Sequence, residues 1–382
     1  MLRREMMRQP TGSPIEARLL ETYGYDAVDT CAGDSTCKLP CPVGIDTGAM
    51  MKAFRHQRHS AREERVATLT AEHFRVVEAA ARLAVAAAAK MDARLLPAVT
   101  RGLRKMVRPD LMPEWLPAVP GSTRHRLPDT SRFDARAVYY PACVNRIFGE
   151  PGGALRAEPG RGRGRCRRPR GQAGVDPARR TGHLLRHHLA LGGVRAGRRR
   201  DGQNRIVEAA WGWTDGGQLP LVVDASSCTL GIAHEVVPYL TPANRELHRE
   251  LTVVDSLVWA AEELLPDLKV LRTVGSAVIH PTCSMGRLRD VPQLMALAGA
   301  CADEALLPDS AHCCGFAGDR GLLHRELTES ATAREAAEVT ARERDAYLSA
   351  NRMCEIGMDH ATGRTYRSAL LELERATRPE YR

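Results

Sequence analysis

The sequence predicts a mixed α/β chain in which a short, mostly helical N-terminal region precedes two repeated α/β units. Three observations point there: a cysteine-rich run near the N-terminus, a long Ala-, Arg-, Glu- and Leu-rich stretch after it, and apolar strand-like runs that end in cysteine and recur with the same neighbours. At 382 residues the chain has room for two or three domains. No run of about 18 apolar residues occurs, and the first residues lack the apolar core of a signal peptide, so transmembrane and secreted readings are excluded. A cytoplasmic chain is expected, and its 11 cysteines, an odd number, read as metal ligands or buried thiols before disulfides.

The first region, 1–60, carries Thr30-Cys31-Ala32-Gly33-Asp34-Ser35-Thr36-Cys37-Lys38-Leu39-Pro40-Cys41-Pro42. Bacterial ferredoxins use C-x2-C-x2-C-x3-C-P. Cys31, Cys37, Cys41 and Pro42 fit that pattern, with Asp34 at the second ligand position. The Asp serves as an unusual ligand, the cluster lacks an iron, or a cysteine elsewhere completes the set. Three cysteines with an Asp or His also suit structural zinc, although zinc sites usually pair C-x2-C knuckles. The fourth cysteine of a two-cluster ferredoxin serves the other cluster, and no second run is present, so the chain is expected to lack N-terminal sequence. The next region, 61–130, reads as one or two long helices from Ala61 to Met106 and then a proline-containing linker over 109–129.

The two repeated units occupy 131–235 and 236–382. In the second, Ser276-Ala277-Val278-Ile279-His280-Pro281-Thr282-Cys283 precedes His312-Cys313-Cys314-Gly315-Phe316 by 30 residues, and Cys354 follows Cys314 by 40. In the first, the strand before Cys143 and the strand before Cys228 match the two flanks. Thiols at loop tips beyond strand ends can converge on one metal or cluster, and Gly315 permits a close approach or a positive φ. Cys143, Cys228, Cys283 and Cys354 could instead be buried small apolar residues. Cys301, on an apolar helical run, reads as core. His280 reads as a satisfied strand-end residue or, as the alternative, one that lines the cluster site, and His312 beside Cys313 as a weaker candidate for a thiol nucleophile with its base.

The first unit lacks its Cys-Cys-Gly. In its place stands 151–203, with 14 arginines against Glu158, Asp176 and Asp201, which holds all the excess of a net charge of +9. The segment contains no Lys, Ser, Ile, Phe, Tyr, Trp or Met. Such a composition cannot build a core, so poor order and early tryptic cleavage are expected. It also matches a GC-rich gene read out of frame: with suitable synonymous codons, the bases under 183–191 encode Thr-Cys-Cys-Gly one frame along. Cys166, inside this segment, is set aside. Nucleic-acid binding would rest on these arginines alone, without interleaved aromatics or a recognisable module, and is not expected. No dinucleotide fingerprint, Walker A loop, H-E-x-x-H or G-x-S-x-G occurs, so no catalytic residue is assigned.

Together, D-T-C-A-G-D-S-T-C-K-L-P-C-P-V-G-I-D-T-G (29–48), Y-Y-P-A-C-V-N-R-I-F-G (139–149) and N-R-M-C-E-I-G-M (351–358) resemble the cysteine-rich (CCG) domain family. That family includes the glycolate oxidase iron–sulfur subunit, the cysteine-rich subunit of heterodisulfide reductase and the C-terminal half of cytochrome-type FAD-linked D-lactate dehydrogenases, the group these phrases look most like. The resemblance implies a ferredoxin-like N-terminal region, two CCG units and 4Fe–4S clusters that pass electrons from a flavin domain to a quinone or cytochrome. It makes Cys31, Cys37 and Cys41 ligands of the ferredoxin-type cluster, and Cys143, Cys228, Cys283, Cys313, Cys314 and Cys354 ligands of the CCG sites. The FAD belongs to a domain or partner absent from this sequence, so the chain is not expected to oxidise substrate alone; location at the inner face of a membrane would suit such partners. Family members often end in C-x-x-C, where this chain has Gly357. The competing reading is a structural zinc- or cluster-binding module without a redox role.

Overall fold

The computed structural model describes residues 2–57, 60–92, 95–106, 112–123, 135–150 and 196–379. Most of the arginine-rich segment, including Cys166 and the codons of 183–191, lies outside them.

The N-terminal region is helical, as expected. Pro14–Tyr23 starts at a Ser13 cap with proline in its first turn, and Thr47–Gln57 packs back on it through Tyr23, Val28, Met51 and Phe54. The stretch expected to be one or two long helices is three: Ala61–Glu72, Phe74–Ala88 and Leu96–Met106. A reciprocal Ser60–Glu63 capping box starts the first, and His73, at φ −105° and ψ 29°, breaks it from the second. The proline linker is also less free than its composition suggests. Leu116 is fully buried against Phe316, Met353 and Ile356, and Glu114 N donates to the Leu322 carbonyl at 2.8 Å.

Two parallel sheets follow. The first has the order β1-β2-β3, from Val138–Tyr140, Leu221–Val223 and Val253–Asp255. β3 therefore lies beyond the boundary expected at 235. The second contains β4 (Val274–His280), β5 (Ala302–Leu306), β6 (Ala346–Ser349) and β7 (Tyr366–Ser368), ordered β5-β4-β6-β7. Parallel strands must be joined by crossovers, and helices occupy these connections, which makes the chain α/β. Among the described residues no helix is long and apolar enough to cross a membrane.

The expectation of poor order across 151–203 fails at its C-terminal end, because Ala196–Trp213 is a helix. Gln203 is buried there, and Ile206, Val207 and Ala210 pack into the core of the first sheet with Val138, Tyr140 and Leu221. Apolar residues after 203 anchor the helix, and propagation extends it backwards through the arginines. In the second sheet Ala277, Ile279 and Leu348 meet Leu294, Leu297 and Cys301 of the Val291–Cys301 helix. Cys301 is core, as expected, and burial pushes its thiol up to about 11.

Asp255 supplies a pH test of this scaffold. Its carboxylate caps the Ser256–Trp259 helix by accepting from Leu257 N at 2.9 Å and from the Thr229 hydroxyl at 3.1 Å. Burial outweighs both bonds and raises its pKa from 3.8 to about 7. The native state thus holds this proton more tightly than the unfolded chain. Its stabilising contribution is full below about pH 4 and lost as pH rises to about 7, at roughly 1.4 kcal/mol per pKa unit at most. Asp255→Asn should flatten that part of the stability–pH curve and raise stability at pH 8, measured by urea unfolding. An unchanged slope would refute the assignment.

Candidate metal centre

Ligands of open parallel sheets collect beyond the carboxyl ends of the strands, in the crevice where the chain reverses its direction of travel across the sheet. In the second sheet that place is at β4, because β5 lies on one side of it and β6 on the other. Cys283 begins the helix after β4, Cys313 and Cys314 lie in the loop after β5, and Cys354 lies in the first turn of the helix after β6. All four expected ligands of this unit therefore arrive at one edge.

They form two adjacent groups. A ring nitrogen of His280 and the Sγ atoms of Cys314 and Cys354 lie within 4.8 Å of one another, all three residues being buried. A carboxylate oxygen of Asp34 and the Sγ atoms of Cys283 and Cys313 form a second group within the same limit. Cys314 and Cys354 Sγ are 3.2 Å apart and share a hydrogen bond. That bond draws the Cys314 thiol well below its usual range despite burial, with His280 acting in the same direction, while Cys354 is pushed up. Cys313 is pushed up by hydrogen bonding to Cys283 and by burial.

The loop is fixed by its packing. Gly315 has φ +69°, and a Cβ there would stand 2.9 Å from the Leu327 carbonyl oxygen, so the glycine is required. Phe316, fully buried, wedges between Gly321 and Gly357; a Cβ on these would come within 2.6 and 3.0 Å of its ring. With Leu116, Met353 and Ile356, it makes an apolar wall beside Cys314 and Cys354.

Two donors other than cysteine join these groups, His280 as the alternative reading of that residue allowed and Asp34 away from the run where it was expected to ligate. His280 Nδ1 meets Glu335 Oε1 at 2.8 Å, whereas its buried Nε2 makes no well-formed hydrogen bond and interacts with the Cys314 thiol. Burial lowers the basicity of the ring, but the neighbouring Cys314 thiol and the Glu335 carboxylate more than reverse this and raise its pKa to about 10. Its position three residues before Cys283 was the only signal in the sequence, and Glu335, mid-helix in Arg325–Thr340, had none. Asp34 stands at the second-sheet site rather than with the cysteines of its own run. Thr36 holds its carboxylate through the backbone N–H and the hydroxyl, and Arg287 Nη1 donates to its carbonyl at 3.2 Å.

The remaining expected ligands are placed otherwise. Cys31 packs on the Tyr23–Val28–Met51 cluster, exposed Cys37 lies 2.8 Å from Thr47 Oγ1, and Cys41 Sγ accepts from Ile45 N at 3.4 Å. They are not gathered into a three-donor group of that size among the described residues. Cys143 and Cys228 are buried near Tyr140, and no third described donor joins them. No protein-family model matches this chain, and no curated protein matches it.

Proposed function

We propose that this chain is the iron–sulfur electron-transfer portion of an FAD-linked D-lactate or related D-2-hydroxyacid dehydrogenase. The observation that carries the reading is the convergence of Cys283, Cys313, Cys314 and Cys354 beyond β4, β5 and β6. Thiolate ligation is what iron–sulfur clusters need, and a bound cluster supplies one-electron transfer. The residues supply thiols, one of them drawn toward its charged form, beside an apolar wall.

Duplication supports the family reading. The order β1-β2-β3 repeats as β4-β6-β7. Cys143 and Cys283 each begin the helix after the first strand of their sheet, and Cys228 and Cys354 each sit third in the helix after the next. Ser226 Oγ to Thr282 Oγ1 at 2.7 Å, and Asn351 Nδ2 donating to Ser227 Oγ at 3.0 Å, join the ligand-bearing ends of the sheets. In this reading a flavin partner reduces the clusters and a quinone or cytochrome drains them.

The zinc module competes because a carboxylate-backed histidine and an Asp stand beside the thiols. Anaerobic reconstitution with ferrous iron and sulfide, followed by EPR on reduction, separates the two. A reducible iron signal is expected. Zinc retained in preference to iron, with an EPR-silent product, would refute electron transfer.

A further inference from the structure

We propose that His280 Nε2 is itself a metal ligand, completing a Cys2His donor set with Cys314 and Cys354, and that Glu335 is its positioning residue. The proposal deepens the metal-centre reading above, and adds a nitrogen donor where the family resemblance supplies only cysteines.

Four observations carry it. First, His280 is fully buried, and its Nε2, which makes no well-formed hydrogen bond, interacts with the Cys314 thiol, itself in the proposed donor set. A buried ring nitrogen that faces only thiols, without a well-formed hydrogen bond, is placed to share a metal with them. Second, Nδ1 is held by a carboxylate that is itself buried, at 2.8 Å. Metal-bound histidines have this arrangement, in which the outer carboxylate fixes the ring and strengthens the nitrogen facing the metal. Third, the backbone that carries the ring is pinned. His280 ends β4 in register with Ser349, whose hydroxyl donates to the His280 carbonyl at 3.0 Å. Fourth, Gly357, next to Cys314, supplies no side chain, and the Phe316 ring and the Thr328 methyl stand where its Cβ would enter. Among the described residues, His280 is the nitrogen or oxygen donor grouped with Cys314 and Cys354. A borderline-soft metal suits this set, either an iron of a cluster or mononuclear zinc or cobalt.

The test uses the full chain, produced with 15N-histidine and reconstituted anaerobically with ferrous iron and sulfide. Pulsed EPR of the reduced protein should show a nitrogen bound directly to iron, and His280→Leu should abolish that coupling. Glu335→Gln should keep the coupling but weaken metal affinity, by roughly 10- to 100-fold. The wild-type coupling needs no variant, so a misfolded His280→Leu protein would not hide the answer. A reducible cluster without directly bound nitrogen would overturn the His280 assignment and leave the electron-transfer reading standing. If no iron is retained, electron transfer fails, and cobalt(II) decides the histidine. Cobalt bound through nitrogen, and weakened by Glu335→Gln, would uphold His280 as a ligand; cobalt without nitrogen, or no cobalt bound, would refute it.

Discussion

Replacing Cys313 and Cys314 together by serine should remove the metal of the second-sheet site outright, whereas Cys143→Ser should leave metal content nearly unchanged. The two loop cysteines divide between the donor groups, Cys313 with Asp34 and Cys283, and Cys314 with His280 and Cys354. One double substitution therefore removes a thiol from each. Serine does not replace them, because metal ligation requires the deprotonated donor and a hydroxyl does not ionise as a thiol does. Cys143 shares its surroundings with Cys228 and Tyr140, and no third described donor stands there. Elemental analysis and visible absorption of the reconstituted variants read the result. Full retention of metal in the double variant, or a large loss in Cys143→Ser, would reverse the assignment of the two sheets.

Phe316→Ala should cost about 3–5 kcal/mol of stability, the usual range for deleting a buried aromatic ring from a packed core. The ring is the wedge on which the Cys-Cys-Gly loop closes. It touches Gly321 and Gly357 so closely that neither tolerates a Cβ without movement, and Leu116 covers it from the segment before the first sheet. Removing it leaves a cavity that these glycines, having no side chains, cannot fill. The loss should appear in urea unfolding of the metal-free protein, with a second loss in metal affinity because Cys314 is no longer held. A variant as stable as the parent would mean that the loop is fixed by Gly315 and its neighbours instead.

The strands before Cys143, Cys228 and Cys283 were legible because a short apolar run ending at a turn is a local pattern. Gly315 was legible as a turn, a glycine straight after two cysteines, and φ is +69° there; the nearby Leu327 carbonyl that makes it necessary was not. The helix over 196–203 was not legible. Its residues are arginine- and glycine-rich, and what orders them is burial of Ile206 and Val207 against another part of the chain.

For the metal centre, the amino-acid order was enough to nominate Cys283, Cys313, Cys314 and Cys354, since their thiols follow strand ends at repeated spacings. Folding had to choose their companions. His280 meets Glu335 across 55 residues, and the Asp34 turn is tied to Arg287 across 253. Helical and strand periodicities extend over a few residues only, so they cannot report which distant side chains face one another. The reversal of direction at β4 brings three loops to one edge, and the buried space left among them selects a histidine with one nitrogen turned to the thiols and an aspartate from a different cysteine run.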